Sequence, residues 1–298
     1  MPAVALALLP DLMLLLAGGL LRRTLPGVGW QAIDALNFRL LFPALIFFSA
    51  LRSPPLMSDL MVMGLGVWAG MLLACGLAWL ARSLGPERFL DFAGMWQTAW
   101  RFNTALAIVA AQALPPEYRG LMAIAIGLAV PVANILAVLA LSRGTGSDLG
   151  TTLRQVLTNP FLVASVAGVA LSILEMHLPV IAMDAVTKLG QAAVPMALLS
   201  IGASVNWRAL ACMDRFEAAL NAIKLLLLPG ATLAGAAVLG IGPGPRLTLT
   251  IFAALPTASA AHVLASVYGA DRERVAKVIA QSTLIGCVTL PLWLLALL

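Results

Sequence analysis

Residues 247–267 read LTLTIFAALPTASAAHVLASV, a stretch without a single Asp, Glu, Lys or Arg. About 20 such residues span the hydrocarbon core of a bilayer as one helix. Pro256 stands at the centre of the stretch, where proline removes one backbone donor and frees a carbonyl from its helical partner. Freed backbone groups at membrane depth need a polar cavity or a neighbouring chain. Ser259, His262 and Ser266 share one face beyond the proline at helical spacing. An imidazole titrates near neutral pH and suits His262 to carry a coupling proton, although a buried neutral histidine that only donates and accepts hydrogen bonds fits the same position. The stretch predicts an interrupted membrane helix beside a polar pocket.

The rest of the chain has the same character. Of 298 residues, 61% are hydrophobic and 10% charged, against roughly 25% charged in a soluble domain. Hydropathy cuts the chain into ten runs, at 3–21, 33–51, 60–81, 92–114, 118–141, 154–174, 179–203, 216–240, 247–267 and 275–297. Turn and charge punctuation separates them, as at Arg22-Arg23-Thr24-Leu25-Pro26-Gly27 and Gly242-Pro243-Gly244-Pro245. The predicted class is an all-α integral membrane protein of about ten transmembrane helices, with no room for a large aqueous domain. Nothing before Arg22 has the pattern of a cleaved signal, so the first run is expected to remain as a helix.

Lys and Arg gather in alternate loops. Arg22, Arg23, Arg82, Arg88, Arg143, Arg154, Arg208, Arg215, Arg272, Arg274 and Lys277 fall in the odd-numbered connections, and only Arg52, Arg119 and Arg246 in the even-numbered ones. The positive-inside rule then puts both termini on the non-cytoplasmic side of the cell (inner) membrane. The formal charge of +5 is scattered rather than clustered, which speaks for membrane orientation and against a nucleic-acid partner. Cys75, Cys212 and Cys287 stand alone, with no metal or disulfide spacing. A Gly66–Gly70 pair suits a close helix contact, and the reading leaves a homodimer open.

The chain also reads as duplicated. Pro43 and Pro195 are separated by the same number of residues as Thr104 and Pro256. Five spans per half is an odd number, so the halves, 1–142 and 154–298 joined by a cytoplasmic linker at 143–153, would enter the membrane in opposite senses, as in many secondary transporters.

Charges at mid-depth mark where chemistry belongs, because each costs about 2.5–3.5 kcal/mol on insertion scales. Arg101 lies near the middle of the fourth run, and Gln97, Thr98, Thr104 and Gln112 share its stripe with Asn103 alongside. A fork-shaped, always-charged donor suits a carboxylate ligand; the competing reading pairs Arg101 with an Asp of another helix. Asp184, Lys188, Gln191 and Pro195 form a stripe in the seventh run, where Asp184 and Lys188 have the acid-first i, i+4 order of an ion pair. Asp34, Asn37 and Arg39 open the second run as supporting residues, with Asp34 favouring a helix N-terminus. Asp11 follows Pro10 inside the first run and is a candidate proton-carrying carboxyl.

Three function classes compete. An intramembrane enzyme lacks His-Glu-x-x-His, Gly-x-Ser-x-Gly and Gly-x-x-x-x-Gly-Lys patterns. A channel would want a pore ring repeated across subunits. A carrier fits the repeat, with a small organic anion as partner, or a neutral solute if Arg101 is already paired. No cofactor or metal is expected, and H+ and Na+ both remain open as coupling ion.

Beyond these features the chain resembles the auxin efflux carrier family in its bacterial permease branch. The resemblance rests on Gly18-Gly19-Leu20-Leu21-Arg22-Arg23, Phe42-Pro43-Ala44-Leu45, Arg101-Phe102-Asn103-Thr104, Pro131-Val132-Ala133-Asn134, Asn159-Pro160 and Ala193-Val194-Pro195-Met196-Ala197-Leu198-Leu199-Ser200-Ile201-Gly202-Ala203. It continues in Leu255-Pro256-Thr257-Ala258-Ser259, Val263-Leu264-Ala265, Tyr268-Gly269 and Gln281-Ser282-Thr283-Leu284. The resemblance implies two inverted five-helix repeats in which discontinuous helices 4 and 9 cross at mid-membrane, with Asn103, Thr104, Pro256 and Thr257 at the crossing. It further implies transport of organic anions such as dicarboxylates or auxin, by an elevator-like shift of helices 3–5 and 8–10 against 1, 2, 6 and 7. Combined with the residue reading, Arg101 supplies charge and Asn103, Thr104, Thr257 and Ser259 supply hydrogen bonds to the substrate. Two departures stand out. The fourth run has no Pro or Gly between Trp96 and Leu114 to break it, and His262 stands where the family pattern leads one to expect Tyr.

Overall fold

A computed structural model describes residues 10, 13–14, 16–51, 57–146, 150–151, 154, 157–158, 160–176, 178–204 and 212–297. Asp11 and Asn159 lie outside the described residues.

Every regular element described is helical. Pro26 holds an extended conformation that opens α1 (Gly27–Leu36), which continues through a π-helical turn at Asn37–Leu41 into α2 (Phe42–Leu51). The second span therefore starts at Gly27, not at 33. Gly27, Gly29 and Gln31 dilute the hydropathy of this segment, but a proline just before a helix presets its entry. Asp34 and Asn37, expected at a helix start near water, are consequently both fully buried in the body of the span.

The chain goes on through α3 (Met57–Leu80), α4 (Phe89–Trp96), α5 (Thr104–Ala113), α6 (Arg119–Gly144), α7 (Pro160–Ile173) and α8 (Val180–Ser204). α9 (Arg215–Ala222) leads through a second π-helical turn, Ile223–Leu227, into α10 (Leu228–Val238). α11 (Pro243–Ala253), α12 (Ala260–Tyr268) and α13 (Arg272–Leu297) complete it. Asp214 and Glu217 close a reciprocal capping box on α9.

Six stretches among the described residues are long and apolar enough to cross a membrane: Gly27–Phe48, Met61–Leu80, Gly120–Gly144, Val180–Ala203, Arg215–Val238 and Arg272–Leu297. They coincide with the second, third, fifth, seventh, eighth and tenth hydropathy runs. The fourth and ninth runs are each split into two short helices, α4/α5 and α11/α12. Large side chains such as Leu20, Ile181 and Val238 stand outward, each more than four-fifths exposed, as a lipid-facing surface requires. The protein is an all-helical, multi-pass membrane protein.

Two sets of helices recur in the packing, and they touch each other through α6 on α7, α8 on α13 and α12 on α1. α2 lies against α7 and α8, with α1 beside α8. A side chain at Gly190 of α8 would collide with the backbone at Leu45 of α2, so a residue without Cβ is what lets these helices close. In the second group α3 packs on α6, α10 and α11, α4 and α5 on α6, and α12 on α13. Gly66 lies close to α11, where a methyl group would meet the end of the Leu249 side chain.

Candidate functional site

Both interrupted spans break at the same place in the molecule. α4 tightens into a 3-10 turn at Gln97–Ala99, and Trp100 to Asn103 leave the helix before α5 begins at Thr104. No proline or glycine forces this. Asn103 adopts an extended conformation, and its side chain accepts from the Leu106 N–H at 3.2 Å as the N-cap of α5. The continuous polar stripe expected from Gln97 to Gln112 therefore does not exist, because a bend separates Gln97 and Thr98 from Thr104. In the other span α11 ends at Ala253 and α12 starts at Ala260. The two breaks touch: the Asn103 N–H donates to the Pro256 carbonyl at 2.9 Å. Gln97 adds a second tie, its Nε2 donating to the Ala261 carbonyl at 3.1 Å.

At this crossing Arg101, Asn103, Thr104 and Ser259 line a cavity of about 50 Å³. Phe42, Leu45 and Ile46 of α2 and Val194 of α8 form the facing wall, so the cavity lies between the two packing groups. Pro256 and Thr257, expected beside the substrate, are buried and do not line the cavity. Pro256 is engaged through its carbonyl, and the Thr257 N–H donates to Ser282 Oγ at 3.1 Å.

The cavity is electropositive by construction. α5 and α12 both present N-termini to it, and a helix N-terminus carries about half a positive charge. The Arg101 guanidinium is 4% exposed; Nη2 donates to Asn134 Oδ1 at 3.1 Å and Nε has no partner. Among the described residues Arg101 joins no ion pair, so the expected alternative of a structural Arg–Asp pair is not met there.

The negative end of α11 is met by a residue that sequence reasoning missed. Lys224, on the second π-helical turn and 3% exposed, donates from Nζ to the Ala253 carbonyl at 3.3 Å. A lone lysine inside an apolar run was the available signal, the same one that singled out Arg101. Asn134, which accepts from Arg101, stands out in the sequence only within the Pro131-Val132-Ala133-Asn134 motif.

Asp34 is the centre of a separate buried cluster. Ser200 Oγ donates to its Oδ1 at 2.6 Å, Arg272 Nη1 lies 3.3 Å from Oδ2, and His262 Nε2 lies 3.4 Å from the same oxygen. His262 is therefore turned away from the cavity that Ser259 lines. Asn37 bridges into α8, where its amide, oriented to satisfy both bonds, donates to the Ala193 carbonyl and accepts from the Ala197 N–H on either side of Pro195. Asp184 and Lys188 do not form their expected ion pair: both side chains are exposed and neither joins a salt bridge among the described residues. Exposed pairs of this kind are worth too little to hold two flexible side chains together.

The profile of the family described as "Membrane transport protein" matches residues 148–294. This match agrees with the resemblance to the auxin efflux carrier family. The match supports a membrane transporter, and the matched segment holds α7–α12 and most of α13, including the Pro256 break and the Asp34 partners His262 and Arg272. The chain is also 26% identical over 292 residues to a protein of Rhizobium meliloti (strain 1021) named "Putative malonate transporter", the match covering 89% of this chain and 86% of the relative.

Proposed function

We propose that the protein is a secondary transporter that carries a small carboxylate, of the size and charge of malonate, across the cytoplasmic membrane by alternating access. The observation that carries the reading is Arg101: a buried guanidinium without an ion-pair partner among the described residues, facing a cavity onto which two half-helix N-termini open. A dicarboxylate supplies the two negative charges that such a site lacks, and a guanidinium holds a carboxylate in bidentate fashion. The malonate in the relative's name agrees with that chemistry.

In this reading the halves 1–142 and 154–298, joined by 143–153, are inverted repeats of five spans, and both termini lie outside. Arg101, Asn103, Thr104 and Ser259 contact the substrate, while Pro256 and Thr257 hold the crossing in shape. The cavity of about 50 Å³ admits a few waters, whereas ligand pockets run to several hundred Å³. Loading therefore requires the α1, α2, α7, α8 group to move relative to the other helices, which is the motion alternating access needs.

Purified protein in liposomes tests the proposal. Radiolabelled malonate is expected to accumulate saturably and to exchange with unlabelled malonate on the opposite side. Flux that rises linearly with concentration and shows no exchange would indicate a channel. Selective uptake of neutral solutes would remove the carboxylate.

A further inference from the structure

We propose that the His262–Asp34 contact is a proton-binding site, separate from the substrate cavity, whose occupancy couples proton movement to transport. The inference rests on the carrier reading above, but the chemistry of the site stands on its own geometry.

His262 Nδ1 lies 3.2 Å from the Arg272 backbone carbonyl. A carbonyl only accepts, which assigns an N–H to Nδ1. In the neutral ring Nε2 is then a bare acceptor. Asp34 Oδ2 lies 3.4 Å away, and a carboxylate oxygen is also an acceptor. The side chain is fully buried and Nε2 has no hydrogen-bond partner. Two acceptors facing each other inside a protein repel, and one added proton turns the contact into a charge-assisted bond. The place for that proton is the line from Nε2 to Oδ2. The other groups at Asp34, the Ser200 and Ser266 hydroxyls and Arg272 Nη1, are already donors.

Charge follows the same count. With a neutral ring, Asp34 and Arg272 cancel; with the proton bound, the cluster carries one positive charge. Arg272 is the partly exposed member, so it is the cation free to turn towards water when the imidazolium takes its place on Asp34. Other charged groups on the elements packed against α12 do not compete. Asp91 of α4 is held by Arg88 and the Asp271 N–H. Arg274 and Lys277 of α13 pair with Asp214 and Glu217. Glu273 of α13, Arg39 of the first π-helical turn, Asp184 and Lys188 of α8, and Arg143 of α6 are exposed.

The location supplies the coupling. Asp34 and Ser200 belong to the α1, α2, α7, α8 group, and His262 and Arg272 to α12 and α13 of the other. Movement of one group along the other separates imidazole from carboxylate and destroys the proton site, so proton binding and position depend on each other.

Two measurements decide the matter. Histidine-selective 15N labelling reports two imidazoles, His177 and His262, and His177→Gln identifies the signal of His262. In the purified protein Nε2 of His262 is expected to gain its proton on acidification, while the Asp34→Asn variant keeps the neutral Nδ1–H ring over the same pH range. Identical titration in both would overturn the proposal. In liposomes, malonate addition is expected to drive proton entry, and Asp34→Asn and His262→Gln should lose at least tenfold of it while retaining malonate exchange. Undiminished proton entry in His262→Gln would also overturn the coupling. If the unmodified protein exchanges no malonate, the carboxylate reading fails, and the imidazole spectra still decide the proton site.

Discussion

The backbone N–H of Asn103 and the backbone carbonyl of Pro256 are hydrogen-bonded at 2.9 Å, so the two broken spans meet through main chain. Each break leaves polar backbone that lipid could not satisfy, and each supplies part of what the other lacks. The side chains at the crossing are thereby released for other work. Asn103 caps α5, Ser259 opens α12, and Arg101 faces the cavity.

Arg101 and Lys224 are both buried cations, but only Arg101 lines the cavity, so their replacement by methionine is expected to differ in its effect on uptake. Arg101→Met removes a buried charge without an ion-pair partner among the described residues but leaves Asn134 Oδ1 without its donor, so the two effects on the melting temperature offset each other and it should change little. Carboxylate uptake should fall tenfold or more, as loss of a charged hydrogen bond of about 1.5–3 kcal/mol implies. Lys224→Met strips the Ala253 carbonyl of its donor and should lower stability by about 1–3 kcal/mol. Thermal unfolding in detergent and uptake in liposomes, measured on the same preparations, check both.

Asn103→Asp keeps a capping oxygen and the N–H that reaches Pro256. Its stability should stay close to that of the unmodified protein, since Asp and Asn cap equally well. A carboxylate in the cavity wall repels an anionic substrate, so uptake should drop by tenfold or more, about 1.4 kcal/mol. Asn103→Ala should do the reverse, losing about 1 kcal/mol of cap with a smaller loss of uptake. Equal uptake by Asn103→Asp and the unmodified protein would take this residue out of the site.

Gly286 of α13 offers a test of the crossing itself. A methyl group there would lie 2.4 Å from Pro256 Cγ, and a proline ring cannot swing aside. Gly286→Ala should therefore displace the α11/α12 break and cost about 1–3 kcal/mol, as overpacking does. A melting temperature equal to that of the parent would mean that the crossing has slack.

Much of this was legible in the chain. Runs of apolar residues located the long spans, and Pro256 announced its break because proline acts locally. The break at Trp100–Asn103 was invisible from its own residues. Its cause is a bond to Pro256, far along the chain, and no local window contains that partner. Asp34 was misplaced because hydropathy measures side chains, whereas the helix start at Gly27 is set by backbone geometry after Pro26. Lys224 was overlooked although its signal was plain, and the acid-first spacing of Asp184 and Lys188 indicated a pair that exposed side chains have little reason to form.

The bond from Asn103 to Pro256 also sets a timetable for biogenesis. The ribosome delivers Asn103 about 150 residues ahead of its acceptor, which at about 5–20 residues per second is a wait of roughly 8–30 s. During that interval the first broken span has an amide with no partner in a lipid environment. The insertion machinery, or water held beside it, must shelter the segment until residues 247–267 arrive, and a chain truncated before them should be recognised as unfinished and degraded.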